Sequence, residues 1–140
     1  MSDIENLAGD TRPIGVFDSG LGGLTVARAI ATALPHESVY YFGDTKRCPY
    51  GTRTEDEVRS IALQAGRWLS KHDVKIMVIA CNTATAAALR LAQQVLDVPV
   101  DRRDRAGRTC GNQQHAHASR GRARHQPHHS LGAYTRPFRT

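Results

Sequence analysis

The most informative side chain in the sequence is the thiol of Cys81, whose place in the chain is compatible with a thiolate that does chemistry. Cys81 follows the apolar run 76–79 and precedes an alanine-rich stretch with helical spacing. A sulfur where a buried strand meets a helix N-terminus lies beside free backbone N–H groups and the positive end of the helix dipole, which stabilise a thiolate. The alternative is a buried structural cysteine, and spacing alone leaves both interpretations open.

Two polar residues follow Cys81 directly, and a carboxylate stands in a comparable place earlier in the chain. Asn82 and Thr83 can either cap the helix or bind polar groups of a ligand. Asp18 ends the apolar run 14–17, and it can either cap a turn or hold the ammonium group of a ligand. Residue types alone leave these alternatives open.

A glycine-rich stretch, Gly-Leu-Gly-Gly-Leu-Thr at 20–25, follows Asp18 and invites comparison with a phosphate-binding loop. The third glycine of a dinucleotide-binding motif would fall at Thr25, and no Gly-Lys-Ser/Thr follows. The sequence therefore favours a tight turn at a helix start, whose free N–H groups suit a carboxylate as well as a phosphate.

A second loop contains Tyr50 in the motif Pro-Tyr-Gly, which is most often a turn. Cys48 lies next to this motif, and the sequence identifies no partner for it.

Hydrophobic periodicity predicts the elements that position these loops. Apolar runs indicate four strands, and apolar residues at every third or fourth position indicate three helices between them. The second helix starts with a capping box of Thr54 and Glu57. Alternating strands and helices predict an α/β fold with a parallel sheet, in which ligands bind at the carboxyl ends of the strands. The predicted strands begin at Ile14, Val39, Val74 and Val98, and the predicted helices begin near Leu24, Thr54 and Ala84.

Charge and composition divide the chain at Val100. Residues 1–100 hold 10 Lys and Arg against 11 Asp and Glu, a net charge of −1, whereas residues 101–140 hold 9 Arg against 2 Asp, a net charge of +7. The second segment has one Leu and no Ile, Val or Met, which is too little apolar surface to offset the entropy of ordering. We therefore predict a polar leader at 1–12, one α/β lobe with flanking helices at 13–100, and an Arg/His-rich tail at 101–140 that is disordered or frameshifted.

Several other classes of protein are disfavoured. No apolar run is long enough to span a bilayer, and the acidic, polar first residues lack the features of a signal peptide, so we expect a cytoplasmic protein without membrane contact. Three cysteines without paired spacing favour free thiols. The arginines of the tail predict only salt-dependent, non-specific binding of nucleic acid. We expect no metal site in the tail, because its candidate ligands lack a fixed scaffold; they are Cys110, His115, His117, His125, His128 and His129.

Four stretches of the sequence together resemble glutamate racemases of the aspartate/glutamate racemase family. They lie in order, at the family's spacing, within residues 13–100. The stretches are PIGVFDSGLGGLTV at 13–26, YFGDT at 41–45, PYGTRT at 49–54 and VIACNTA at 78–84. Each alone is a weak signal, and their combination makes the resemblance specific.

The resemblance implies a cofactor-independent isomerase that interconverts L- and D-glutamate and supplies D-glutamate for peptidoglycan, and so for cell-wall biogenesis and cell shape. Two cysteines of the family face the substrate α-carbon from opposite sides, and Cys81 matches the one that removes the α-proton as a thiolate. It implies no cofactor and no metal, makes glutamate the small-molecule partner, and leaves the oligomeric state open. The substrate contacts that it assigns are Asp18, Ser19, Tyr50, Gly51, Asn82 and Thr83.

The sequence departs from the family beyond Val100. Family members have a second α/β lobe, in which the second cysteine lies in a Gly-Cys-Thr-His motif, and no such motif occurs here. Cys110 stands in Arg-Thr-Cys-Gly-Asn, so the second role is not transferred to it. We expect residues 101–140 to be a misread segment in place of that lobe, and full racemisation to be weak or absent.

Two alternatives stay open. An aspartate racemase or a related two-thiol isomerase would share this chemistry, because selection for side-chain length belongs partly to the second lobe. A non-enzymatic, basic nucleic-acid-binding fragment would instead bind through the tail at 101–140.

Overall fold

The computed structural model describes residues 9–103 and the strand at 133–138. Strands and helices alternate along the described chain, as the sequence predicts. Strand β1 (Ile14–Asp18) leads to helix α1 (Leu24–Ala33), and β2 (Val39–Asp44) leads through a short 3-10 helix (Tyr50–Thr52) to α2 (Glu55–Lys71). The remaining elements are β3 (Ile76–Ile79), α3 (Asn82–Val95), β4 (Val100–Arg102) and β5 (Ala133–Phe138).

The five strands form one sheet in the order β4-β3-β1-β2-β5. The first four strands of this order are parallel, and Ile14 of β1 lies opposite Val39 of β2 and Ile76 of β3. Both faces of β1 and β3 are buried, which explains why these strands are continuous apolar runs in the sequence. The predicted parallel α/β lobe is therefore confirmed. Because the strands are parallel, the loops after β1, β2 and β3 leave the sheet at the same edge.

Helices cover both faces of this sheet, because successive side chains along each strand point to opposite faces. On one face, Phe17 and Met77 pack with residues of α2 and α3. On the other face, Val16 and Val78 pack with Ile30 of α1. Each such side chain stabilises the fold by about 1.5–3 kcal/mol relative to full exposure, so the two layers hold the strand ends in fixed positions.

The predicted capping box at the start of α2 is present. The Thr54 Oγ1 accepts the backbone N–H of Glu57 at 3.3 Å, and the Glu57 carboxylate accepts the backbone N–H of Thr54 at 2.8 Å. These bonds satisfy backbone donors that a helix start otherwise leaves unpaired. The bond from the Thr54 backbone is the main reason that the pKa of Glu57 is lowered.

The structure differs from the sequence analysis around the junction at Val100. Strand β4 continues two residues further, to Arg102, and Asp101 is buried although its Oδ2 has no hydrogen-bond partner among the described residues. Residues 133–138, expected to be disordered, form β5, which pairs antiparallel with β2. The physical reason is that the free edge of β2 offers unpaired backbone groups, and a segment with Tyr, Thr and Phe suits an extended conformation.

Other predictions concern residues outside the described part of the chain, namely the leader at 1–8, Cys110 and the histidines of the tail. Within the described residues, no helix combines the length and apolar character needed to cross a membrane. The same residues contain no group of three His, Cys, Asp or Glu side chains arranged to hold a metal ion.

Candidate active site

Three loops meet at the carboxyl ends of β1, β2 and β3, and they form the candidate active site. The backbone N–H of Ala80, just after β3, donates to the Phe17 carbonyl of β1 at 2.8 Å. Asp18 at the end of β1 lies opposite Gly43 of β2. The ring of Tyr50, in the loop after β2, packs on the ring of Phe17 with 6.3 Å between centroids. The sheet therefore brings together the three loops that the sequence analysis selected.

Cys81 is the N-cap residue of α3. Its backbone is extended (φ −78°, ψ 126°), and its Sγ accepts the backbone N–H of Ala84 at 3.5 Å. Only 7 % of the residue is exposed, and it belongs to the same apolar cluster as Phe17 and Tyr50. The sulfur therefore lies at the positive end of the dipole of α3, next to the backbone N–H groups of its first turn. The fold thus places a buried sulfur at the N-terminus of a helix.

Asn82 and Thr83 are the first two residues of α3, and both are exposed. The sequence analysis left a capping role open for them. That alternative is wrong, because the side chain that caps this helix belongs to Cys81. The amide of Asn82 and the hydroxyl of Thr83 are instead accessible from solvent, next in sequence to the buried sulfur.

Asp18 folds back on the glycine-rich turn that follows it. Its Oδ2 accepts the backbone N–H of Gly20 at 3.1 Å and that of Gly23 at 2.9 Å. The carboxylate is buried and occupies the anion position that such N–H groups create at a helix start. The predicted turn is confirmed, and two of the N–H groups that could have held a ligand carboxylate bind the side chain of Asp18.

Tyr41 packs on this turn from β2. Its hydroxyl lies 2.8 Å from the Gly20 carbonyl oxygen and 3.2 Å from the Asp18 Oδ2, so it can donate to either acceptor. Burial, and next the charge of Asp18, raise the pKa of Tyr41. The turn is tightly packed, since a Cβ added at Gly23 would lie 2.7 Å from the Asp18 Cβ. Ser19, at the start of the turn, is half-buried.

The loop after β2 lies against the tip of β1. The Cys48 Sγ would lie 3.3 Å from a Cβ at Gly20, and Cys48 is exposed. Gly51 is also exposed, and a Cβ added there would meet no atom within 4 Å. The backbone at Gly51 therefore borders open space at the same edge of the sheet as Cys81.

Tyr50 is buried, with 2 % of its surface exposed, and its hydroxyl donates to the Asp44 Oδ2 at 2.6 Å. Burial is the main cause that raises the pKa of Tyr50, the bond to Asp44 is the second, and Cys81 adds a smaller electrostatic contribution. The phenol proton is therefore committed to Asp44, and the ring of Tyr50 belongs to the apolar cluster that holds Cys81.

Sequence analysis missed two residues of this region, Asp44 and Arg47. Asp44 ends β2 with 1 % of its surface exposed, and its Oδ2 pairs with the Arg47 Nε at 2.6 Å. A carboxylate that closes a buried strand requires partners. The sequence signal that could have indicated this pair is an arginine three residues after the carboxylate.

Comparison with known proteins decides which family this lobe resembles. No protein-family model matches the chain. The glutamate racemase of Limosilactobacillus reuteri (strain DSM 20016) is 52% identical over 106 residues, which cover 76% of this chain and 40% of that protein. The glutamate racemase of Limosilactobacillus fermentum (strain NBRC 3956 / LMG 18251) is 59% identical over 91 residues, or 65% of this chain and 34% of that protein. This chain is homologous to the N-terminal part of glutamate racemases.

Solved glutamate racemases share the fold of the lobe. The glutamate racemase of Francisella tularensis subsp. tularensis SCHU S4, solved in complex with D-glutamate, superposes with a TM-score of 0.63 at 45% identity. The match covers 66% of this chain and 36% of that chain. The resemblance predicted from the four sequence stretches is therefore confirmed. This chain spans between 34% and 40% of the length of the two glutamate racemases from Limosilactobacillus.

Proposed function

We propose that this chain carries the proton-abstracting part of a glutamate racemase site, with Cys81 as the base. One observation carries the proposal: the sulfur caps α3 and bonds the Ala84 N–H, in a fold shared with glutamate racemases. The α-proton of an amino acid is a very weak acid. A base that works without a cofactor must therefore be close to the proton, desolvated and well aimed, and a buried thiolate at a helix N-terminus meets these needs.

The residues around Cys81 would hold the substrate. Asp18 has a second oxygen, Oδ1, which accepts no hydrogen bond from the described residues, so it is available for the substrate ammonium. Negative charge grows on the α-carboxylate in the transition state, where preorganised donors act most strongly. The donors that we assign to the two carboxylates of glutamate are the side chains of Ser19, Asn82 and Thr83 and the backbone N–H groups of Tyr50 and Gly51.

The proposed step is a proton transfer to sulfur. The Cys81 thiolate takes the α-proton of glutamate, which forms an S–H bond and leaves a carbanion whose charge spreads into the α-carboxylate. In D2O the S–H exchanges to S–D, and return of the deuteron to the same face gives α-deuterated glutamate of unchanged configuration. Inversion needs an acid on the opposite face, which the resemblance assigns to a cysteine in a Gly-Cys-Thr-His motif. This sequence has no such motif, so we expect exchange without full racemisation.

Glutamate is the favoured substrate because the relatives are named glutamate racemases and one was solved with D-glutamate. An aspartate racemase is not favoured by these relatives. As a part of the same proposal, the full activity would supply D-glutamate for peptidoglycan in the cytoplasm. The proposed domain organisation is a polar leader at 1–12, the lobe at 13–100, whose last strand continues to Arg102, and a misread segment at 101–140.

Substrate binding at Cys81 can be tested by protection of its thiol. We would use the full chain with Cys48→Ser and Cys110→Ser, which leaves Cys81 as the single thiol and is called the single-thiol chain below. Mass spectrometry would follow alkylation by iodoacetamide with L-glutamate, D-glutamate or L-aspartate present. We expect glutamate to slow alkylation saturably and aspartate to have less effect, with alkylation of N-acetylcysteine unchanged. Equal alkylation rates with and without glutamate would contradict the proposal.

A further inference from the structure

The carboxylate of Asp44 is the centre of a hydrogen-bond network that the proposed reaction does not use. It is buried, and its Oδ2 accepts both the Tyr50 hydroxyl and the Arg47 Nε, each at 2.6 Å. Hydrogen bonds in which one partner is ionised are short and about twice as strong as neutral ones. Asp44 is therefore a strong polar anchor of the loop that follows β2.

Arg47 extends this anchor to both ends of the loop and to the next helix. Its Nη1 donates to the Gln64 Oε1 of α2 at 3.0 Å, and its carbonyl oxygen accepts the Arg53 Nε at 3.0 Å. Arg53 in turn donates its backbone N–H to the Tyr50 carbonyl at 3.0 Å. The first two of these bonds use Arg47, whose Nε is bound by the Asp44 carboxylate, and the third closes the loop between Tyr50 and Arg53.

Tyr50 connects the same carboxylate to the candidate site. Its ring packs on Phe17 and shares an apolar cluster with Cys81, and the next residue, Gly51, faces open space. The hydroxyl is used by Asp44 and is not free to donate to a ligand. The bond between Tyr50 and Asp44 therefore fixes the hydroxyl end of a ring that lies in the same apolar cluster as Cys81.

We infer that Asp44 is a positioning residue, which holds the loop 45–53 and the ring of Tyr50 against Cys81. The expected effect of Asp44 on glutamate binding rests on the proposed function. Its expected effects on the position of the loop and on the accessibility of the Cys81 thiol do not. When the carboxylate loses its charge, the buried Tyr50 hydroxyl and the partly exposed Arg47 guanidinium lose their charged acceptor. The loop then loosens at the tip of β2, and Cys81 becomes more accessible.

The single-thiol chain allows a test in the absence of glutamate. Two variants in this background, Asp44→Asn and Tyr50→Phe, should raise the alkylation rate of Cys81, the first by about tenfold, as expected for loss of one hydrogen bond to a charged group. Backbone amides at 46–53 should exchange faster, while amides of β1 and β3 keep their protection. Asp101→Asn is the matched control, since it removes another buried carboxylate on β4, and it should leave the alkylation rate unchanged.

A double variant separates positioning from general destabilisation. If Asp44 acts through Tyr50, Asp44→Asn adds little to the alkylation rate once Tyr50→Phe is present, because residues in one network are not additive. Independent, additive increases would contradict a shared role. Alkylation rates of Asp44→Asn and Tyr50→Phe within about twofold of the parent would overturn the inference. If Asp44→Asn does not fold, Tyr50→Phe and Arg47→Gln decide the question by the same measurement.

Addition of glutamate then separates this inference from the proposed function. Asp44→Asn should raise the glutamate concentration that gives half-maximal protection of Cys81, and it should change the α-proton exchange rate at saturating glutamate much less. If the parent chain is not protected by glutamate at all, the proposed function fails. The ligand-free alkylation rates and the amide exchange of the loop still decide the role of Asp44.

Discussion

The Asp18 Oδ2 lies 2.9 Å from the backbone nitrogen of Gly23, so the side chain that ends β1 also closes the turn into α1. The same oxygen accepts the N–H of Gly20 and lies within reach of the Tyr41 hydroxyl. Asp18 therefore stabilises the edge of the sheet whether or not a ligand is bound. Its second oxygen is the part that a substrate could use.

Replacement of Asp18 should separate these two roles. We expect Asp18→Ala to lower the free energy of unfolding by about 2–3 kcal/mol, because buried donors lose their acceptor. Asp18→Asn keeps an acceptor oxygen, so it should lower the free energy of unfolding less than Asp18→Ala does. It should also weaken binding of the glutamate ammonium. Urea unfolding measures the effect on stability, and protection of the Cys81 thiol measures the effect on binding. An Asp18→Ala chain as stable as the parent would contradict the structural role.

The tight packing of the same turn predicts the effect of a single methyl group. Gly23→Ala would place a Cβ 2.7 Å from the Asp18 Cβ and 2.9 Å from the Ala80 Cβ, and neither neighbour can move without shifting the backbone. Such overpacking costs about 1–3 kcal/mol. Gly51→Ala is the matched control, because no atom lies within 4 Å of its added Cβ. Equal urea midpoints for the two variants would show that the turn is looser than described.

Stability at alkaline pH should depend on Tyr41 and Tyr50. The pKa of each is raised in the folded chain, chiefly by burial and then by Asp18 and Asp44, respectively. An unfolded tyrosine titrates near about pH 10. Below that pH both states keep the proton, and above it the unfolded state loses the proton first, so the free energy of unfolding falls as pH rises.

The contribution of Tyr50 to this decline can be measured with Tyr50→Phe. Urea midpoints between about pH 8 and about pH 11 should fall less steeply for this variant than for the parent chain, because one shifted group is removed. Tyr40→Phe is a suitable control, since Tyr40 is only partly buried. A decline of the same steepness in Tyr50→Phe and the parent would contradict the assignment.

The buried carboxylate of Asp101 predicts a stabilising substitution. Its Oδ1 accepts the backbone N–H of Arg102 at 2.8 Å, but its Oδ2 has no partner among the described residues. Asp101 lies opposite Val78, in a register where a parallel strand is usually apolar. We expect Asp101→Val to raise the free energy of unfolding by about 1–3 kcal/mol, and the exposed Asp97→Asn to change it by less than about 0.5 kcal/mol. A lower urea midpoint for Asp101→Val would contradict this explanation.

The sequence predicts the lobe because its periodicity and its strand ends are strong local signals. The runs at 14–17 and 76–79 are apolar because both faces of these strands are buried, and this pattern also located Asp18 and Cys81 at one edge of the sheet. Side-chain partners were harder to predict, because they depend on atoms brought together by the fold. The use of the Cys81 sulfur as the helix cap is one example.

Two further features could not be predicted from local patterns. The bond between Tyr50 and Asp44 joins residues on opposite sides of a loop, and the motif around Tyr50 gives no sign that the hydroxyl is occupied. The pairing of Ala133–Phe138 with β2 joins segments far apart in sequence. This pairing depends on the free edge of the sheet. Composition does not indicate such an edge, because it gives only the amount of apolar surface in a segment.

The most direct test of the account is exchange of the glutamate α-proton in D2O, followed by NMR with each enantiomer and the full chain. We expect the parent chain and Cys48→Ser to replace the α-proton of one enantiomer with deuterium and to keep its configuration. Cys81→Ser should lower the exchange rate by at least about 100-fold, the scale expected for loss of a positioned base. Exchange at the parent rate in Cys81→Ser would contradict the assignment of Cys81 as the base.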